Sequence, residues 1–542
     1  MSISRVAVVG AGILGVAIAR ELTDRLPDAE VTVFDKADRV AAHQSGHTSG
    51  IVDSGLAEAA GSKEAKLARR GVELLVPFVS GRGIPYRECG QLLVAQTTDE
   101  ADRLEELFTA AEKNEIPGVR LLERGELREI EPNARGVLGL YSPHTAVTDF
   151  AALTEALASD VIAAGGAFVF DTEVTGFDVM SNEVRLRGRS ISEVGGGQDH
   201  CAETGDGDGV SGVSSGKDEG TREDRDDDID EQVHEVPRTY RGDDASGPVV
   251  DFGDELRSRF GGQDWFKQVE DTVENLTEKL SNTWSGRGGT SAPTDSPNRA
   301  EDSGRTVNGD RTEDSEHTER AGRAENSDHQ ERTLGTFDLV ITCAGLQADR
   351  LAEAAGLSAE PRIVPFTSDV YIVDEADTEV VRGIVGSVPD PSAPFADAAL
   401  VRGVNGSLML GPNTFVAFGR EKYEKRGFDL GDVGSTVKFK GFWKFAAQTA
   451  KTAARGARPV VSRSAFVERL QKFVPALDAD SVAAGPRGVR AQAMSAEGEL
   501  INELREDKRG RLTMVRSIPR WGATSALAIA EDVVDCALEP RR

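Results

Sequence analysis

The chain has 542 residues, a formal net charge of −29 and 39% hydrophobic residues, which allows two or three domains. About −20 of that charge falls within 191–332, where about 36 acidic residues stand against 16 basic ones, and lysine is scarce, about 15 against about 48 arginines. The acidity argues against nucleic acid as a partner. No apolar run approaches the ~18 residues that would suggest a membrane span, and Cys89, Cys201, Cys343 and Cys536 show neither metal nor redox spacing, so no metal is expected.

Residues 1–36 read as strand, helix, strand. Arg5-Val-Ala-Val-Val-Gly10-Ala-Gly12-Ile-Leu-Gly15 sets G-x-G-x-x-G between an apolar run and a helix, and the second strand stops on Asp35, 20 residues after Gly15. Gly10 permits the tight turn, Gly12 lets backbone amides approach a pyrophosphate, and Gly15 lets helix and strand pack closely. The helix then presents its positive end to the phosphates, and Asp35 can accept hydrogen bonds from a ribose diol. A dinucleotide site follows. A helix over 60–83 carries Leu67, Leu74, Leu75 and Phe78 on one side, and 90–95 is a strand. A helix through Leu104 and Leu107, with Thr98 as N-cap, and another over 153–164 precede strands at 166–170, 173–177 and 183–187.

Between Arg187 and Leu334 the chain is rich in Gly, Ser, Asp, Glu and Thr, too polar to offset the entropy of ordering, so most of it is expected to be disordered. Within it, apolar residues from Phe252 to Trp284 recur at mostly three- or four-residue spacing, which predicts one or two amphipathic helices. These either dock on their own domain or bind a partner. Removing the stretch joins two strands into one hairpin, so it reads as a loop insertion. Beyond it, strand 337–342 ends at Cys343-Ala344-Gly345. A helix over 348–355 follows, then strands near 363–366, 370–373, 400–402 and 407–410, and a helical stretch over 432–454. Strand 512–516 leads into Gly522-Ala-Thr-Ser-Ala526 and a terminal helix.

A second strand-glycine element, far from the first, is the pattern of FAD-dependent oxidoreductases. The chain resembles the L-2-hydroxyglutarate dehydrogenase/oxidase family, within the D-amino-acid-oxidase-like flavoproteins. The resemblance lies in Ala42-His-Gln-Ser-Gly-His-Thr-Ser-Gly50, Tyr86-Arg-Glu-Cys-Gly-Gln-Leu-Leu-Val-Ala95, Gly345-Leu-Gln-Ala-Asp-Arg350, Val388-Pro-Asp-Pro391, Gly411-Pro-Asn413 and Gly488-Val-Arg-Ala-Gln492. It implies an α/β fold: a Rossmann-like FAD-binding domain with a β-sheet-rich substrate domain, interrupted by the acidic insertion. The expected division gives 1–85, 151–187, 334–360 and 486–542 to the FAD domain, 86–150 and 361–485 to the substrate domain, and 188–333 to the insertion. FAD contacts are expected at Gly10, Gly12, Ile13, Leu14, Gly15, Asp35, Lys36, Gln44, Ser45, Ser49, Gly50, Val174, Ala344, Gly345, Gly498, Gly522, Ala523, Thr524 and Ser525.

The implied activity is oxidation of a small 2-hydroxy acid to the 2-oxo acid, with FAD as electron acceptor. His43 or His47 would take the hydroxyl proton, although a packed structural histidine is an equal alternative for either. Arg490 offers a planar fork for the substrate carboxylate, with a structural salt bridge as the alternative. The chain also departs from the family. Asp53 stands where relatives carry a histidine, no tyrosine pair follows it, Thr367 replaces an arginine after Pro365-Phe366, and Pro519-Arg-Trp-Gly522 replaces a run of small residues. Asp53, placed in the catalytic group, would repel a carboxylate if ionised and favour an amine. Amino-acid or amine oxidation, and a non-catalytic FAD-binding protein acting through the inserted helices, therefore stay open.

Residues 438–458 hold six basic and no acidic residues, interleaved with Phe439, Phe442, Trp443 and Phe445. They read either as peripheral contact with an anionic membrane, electrons passing to a quinone or another acceptor, or as a solvated helix covering the substrate domain. No signal peptide is read ahead of the first strand, and a cytoplasmic location is expected, peripheral on the inner face of the cell membrane under the first of those readings. Dense acidity with little lysine also suggests a protein kept soluble in strong salt, with an ordinary acidic cytosolic protein as the alternative.

Overall fold

The computed structural model describes residues 3–191, 331–390, 394–395, 397–424, 427–453 and 463–539. Strand Arg5–Val9 lies between Glu30–Phe34 and Leu339–Thr342, parallel to both. Ala167–Val169 and Leu512–Ser517 extend this parallel sheet on either side, and antiparallel Arg505–Arg509 completes six strands. The two-residue alternation of a strand decides the layers. Val6, Val8, Leu339 and Ile341 face one core, shared with helices Ile13–Arg25, Phe150–Ala163 and Ala526–Leu538. Ala7, Val9 and Val340 face the other, against a three-stranded sheet of Thr172–Val179, Val184–Ser190 and Arg332–Phe337.

In that small sheet Val184–Ser190 pairs antiparallel with Arg332–Phe337, so the acidic stretch leaves and returns through a single hairpin connection. Because Arg187 and Gly188 pair with Thr333 and Arg332, the insertion begins and ends a few residues inside its expected bounds of 188 and 333. The disorder expected for the insertion and the helices expected within 252–284 lie outside the described residues.

The substrate region is built on a nine-stranded sheet. Its order is Leu500–Ile501, Val482–Met494, Arg362–Val373, Leu408–Val416, Ala399–Arg402, Ile384–Ser387, Gln91–Ala95, Leu138–Ser142 and Arg120–Leu122. Val482–Met494 pairs with Arg362–Val373 along its length, so the expected domain boundary at 485/486 falls inside a strand and moves beyond Ile501. Gly485, Pro486 and Gly488 are poor strand formers, and long-range pairing overrides that local preference. The strands expected at 363–366 and 370–373 are one strand with an irregularity between Asp369 and Tyr371. The stretch 432–454 is two helices, Leu430–Lys438 and Lys440–Ala453, because Phe439 between them is extended at φ −80° and ψ 117°. The N-cap of helix Thr98–Lys113 is Thr97, whose side chain accepts from the Glu100 amide, and not Thr98.

One buried cation locks the two regions together. The Arg420 guanidinium donates to Asp349 Oδ2 at 2.9 Å and to the carbonyls of Leu346 and Ile363. Asp349 sits on helix Ala348–Ala354 beside the nucleotide sheet, whereas Arg420 follows Leu408–Val416 of the large sheet. Removing either partner would strand a buried charge, a change that typically costs about 3–5 kcal/mol.

Candidate functional site

A cavity of about 640 Å³ runs between the two sheets. One end is made of backbone. Gly10 has φ +110°, and a Cβ there would stand 2.4 Å from the Cys343 carbonyl oxygen. A Cβ on Gly15 would stand 1.8 Å from the Gly10 carbonyl oxygen. These two glycines let the strands at Val9 and Thr342 and the first helix converge. Gly12 opens that helix at the cavity wall, beside Ile13, Leu14 and Gly15. First-turn amides lack partners within their own helix. Ser45 Oγ accepts from the Ile13 amide at 2.9 Å, leaving the following amides for an anion. The Asp35 carboxylate lines the cavity while accepting from the Ala11 and Ala37 amides at 2.6 and 2.8 Å, which fixes it at the strand end. Its remaining lone pairs can meet a diol.

Lys36, Gln44, Ser45, Ser49, Val174, Ala344, Gly345, Gly522, Ala523 and Thr524 also line the cavity. Lys36 pairs with Glu421, which also accepts from Gln347 Nε2, and Gln44 Oε1 accepts from the Ala491 amide at 2.9 Å. Glu421 comes from the substrate side, and nothing periodic in its loop marks it in the sequence. Phosphate-ready amides, an acid placed for a ribose and a second helix start near Gly522–Thr524, all along one cavity, fit FAD.

Four expected residues fall outside the lining. Gly50 has φ +75° and packs on the Thr148 carbonyl, where a Cβ would stand 2.6 Å away. Gly498 packs against Phe445 and Gly441 of helix Lys440–Ala453. Ser525 is buried behind Thr524, with its hydroxyl unpartnered and its Cα against Gly71. Asp53 is 2% exposed, and its Oδ1 accepts from the Gly55 and Leu56 amides at 2.6 and 3.0 Å. Its carboxylate closes a turn, and burial pushes its pKa up. The catalytic placement of Asp53 is therefore corrected, and with it the argument that this residue favours an amine.

Side chains complete the lining: His43 lies near Asp35, Lys36 and Glu421, and Arg490 lies near Arg520. His43 has both ring nitrogens buried without a hydrogen-bond partner, and desolvation holds its pKa below the ordinary value, partly offset by the Glu421 and Asp35 charges. His47 stacks on Tyr423 with ring centroids 4.2 Å apart and is tied to the Ala42 backbone, so its orientation is taken up structurally. Arg490 lies on Val482–Met494, and its Nη2 donates to Asn502 Oδ1 at 3.3 Å. No carboxylate pairs with it among the described residues. Desolvation, with Arg520 nearby, pushes its pKa down to about 10. Thr367, where an arginine was expected by resemblance, bonds instead to the Phe415 backbone within the sheet.

A dinucleotide cavity shared between a parallel nucleotide sheet and a large antiparallel-rich sheet defines a flavin oxidoreductase architecture. The chain belongs to the family of FAD-dependent oxidoreductases known as DAO, whose model matches residues 5–202 and 299–536. It is 28% identical to the mitochondrial L-2-hydroxyglutarate dehydrogenase of Nematostella vectensis, covering 98% of this chain and 90% of that relative. The human mitochondrial L-2-hydroxyglutarate dehydrogenase is 26% identical over 98% of this chain and 88% of its own length. The Escherichia coli L-2-hydroxyglutarate dehydrogenase is 24% identical over 97% and 91%. Among solved structures, L-alpha-glycerophosphate oxidase of Mycoplasma pneumoniae with FAD bound superposes with a TM-score of 0.60 at 15% identity, covering 100% of this chain and 96% of that one. Glycine oxidase of Geobacillus kaustophilus gives 0.55 at 16%, covering 99% and 96%, and these two likenesses speak to the fold. The protein is an FAD-dependent oxidoreductase, and the reading of a non-catalytic FAD carrier falls away.

Proposed function

We propose that the protein oxidises L-2-hydroxyglutarate, or a close 2-hydroxy dicarboxylate, to the 2-oxo acid. FAD, when bound, supplies the two-electron acceptor for the hydride of the substrate α-carbon. The chain supplies the rest. Arg490 holds the carboxylate beside the reacting carbon in a bidentate grip, and His43 accepts the hydroxyl proton. The observation that carries this reading is Arg490, a cavity-lining guanidinium with no carboxylate partner among the described residues, in the same cavity as the unpartnered His43. The names of the relatives support the choice of substrate. Since Asp53 does not line the cavity, nothing at that position favours an amine.

Steady-state kcat/KM for L-2-hydroxyglutarate, L-lactate and L-glutamate, with an artificial electron acceptor, tests the reading. L-2-Hydroxyglutarate is expected to lead, and a preference for L-glutamate would overturn it. His43 must be neutral to accept a proton. Its pKa is lowered, so kcat/KM should stay flat down to a pH below the ordinary histidine value of about 6.5 and then fall. An acid limb above that value would contradict the assignment.

We further propose peripheral contact with an anionic membrane, through which a quinone would accept the electrons. Phe418, Phe428, Leu430 and Val437 are exposed, and Lys438, Lys440 and Lys444 beside them are exposed too. The aromatic side of the basic helix faces inward, with Phe445 buried against Phe366 and Phe395. The apolar contribution would therefore come from the segment before it. Co-sedimentation with phosphatidylglycerol vesicles but not phosphatidylcholine ones is the expected result. Equal partition to both, or to neither, would refute it.

A further inference from the structure

Arg490 has a companion. Arg520, in the turn ahead of helix Ala526–Leu538, lines the same cavity, as does Trp521. Arg520 Nη2 donates to Asp397 Oδ2 at 2.5 Å, and its guanidinium lies 5.6 Å from the Trp521 ring centroid. Trp521 Nε1 is buried with no partner. Asp397 does not line the cavity, and its charge also reaches Arg490 and Arg469 on helix Arg463–Gln471. Among the described residues, the charge of this one carboxylate is thus shared among three guanidinium groups. Asp53 and Glu58 also feel the Arg520 charge, but neither lines the cavity, and burial pushes both carboxyls up towards their neutral forms. This part of the wall therefore presents donors and positive charge in excess. A guanidinium has five N–H donors in a fixed fork, so Arg520 can hold Asp397 on one side and a ligand carboxylate on another.

We propose that Arg520 is the specificity-determining contact for a second, distal carboxylate, while Arg490 holds the carboxylate next to the reacting carbon. The inference rests on the 2-hydroxy dicarboxylate reading of this cavity and names the residue that would hold its distal group. A monocarboxylate of the same length would leave Arg520 facing an alkyl chain, which discriminates against it.

Isothermal titration of the FAD-loaded protein with 2-oxoglutarate and with 2-oxovalerate, which has the same carbon chain but no distal carboxylate, tests this without turnover. The unaltered protein should bind 2-oxoglutarate more tightly. Arg520→Met should weaken 2-oxoglutarate by about 10- to 100-fold and leave 2-oxovalerate unchanged. Arg520→Lys should restore part of the preference, and Arg490→Met should weaken both ligands. The flavin spectrum of each variant verifies that it is folded and loaded. A full preference for 2-oxoglutarate in Arg520→Met, or equal weakening of both ligands, would overturn the role of Arg520 alone. Equal affinity of the unaltered protein for the two ligands would overturn the dicarboxylate reading as well.

Discussion

The two ends of the cavity recognise their ligands with different materials. At the nucleotide end the contacts are backbone amides, spaced by glycines whose missing Cβ atoms leave room for a neighbouring carbonyl. Its side-chain members, Ser45 and Asp35, mainly hold that backbone in place. At the substrate end the groups are side chains: Arg490 from a strand of the large sheet, and Arg520 and Trp521 from the turn ahead of the last helix. A backbone site accepts almost no added atom, because its geometry is set by close approach. A side-chain site can exchange one residue for another and change its ligand while the fold persists.

The sharpest way to break this contrast is at Gly15. Gly15→Val places a side chain against the Gly10 carbonyl, where even a Cβ would stand at 1.8 Å. Purified Gly15→Val should carry no FAD, read from its visible absorbance, and a fully flavinated variant would contradict the backbone account. Next in size is Arg490→Met, which should raise KM for L-2-hydroxyglutarate by about 10- to 100-fold while the flavin stays bound. An unchanged KM would remove Arg490 from the substrate site. Smaller still is Asp53→Ala. Losing the acceptor for the Gly55 and Leu56 amides should cost about 1 kcal/mol in thermal or denaturant unfolding, with KM unaltered. A large KM change there would return Asp53 to the active site. Deleting 192–330 and joining the hairpin strands should leave flavin content and KM unchanged, and loss of FAD would show that the insertion is more than a loop excursion.

Local pattern made the nucleotide end legible. An apolar run, three spaced glycines and an acid at a strand end depend on neighbours in sequence, so Gly10, Gly12, Gly15 and Asp35 could be given roles from the sequence alone. The parallel sheet, the hairpin exit of the insertion and the terminal helix follow from the same kind of signal. The substrate end depends on tertiary pairing. Val482–Met494 pairs with Arg362–Val373, and its Gly and Pro content gives it a weak local strand pattern, so resemblance and not periodicity singles out Arg490. Glu421 and Tyr423 come from a loop with no periodicity, and their contacts with Lys36 and His47 span hundreds of residues. Asp53 illustrates the opposite error. Its place where the family carries a histidine suggested a chemical role, but its Oδ1 closes a turn on two nearby amides.

The most direct test of the proposed chemistry is anaerobic titration of the purified flavoprotein with L-2-hydroxyglutarate, following the flavin's visible absorbance. The expected result is complete bleaching with one 2-oxoglutarate formed per flavin, and no bleaching by the D enantiomer or by L-glutamate. A flavin left oxidised by L-2-hydroxyglutarate but bleached by an amino acid would contradict it.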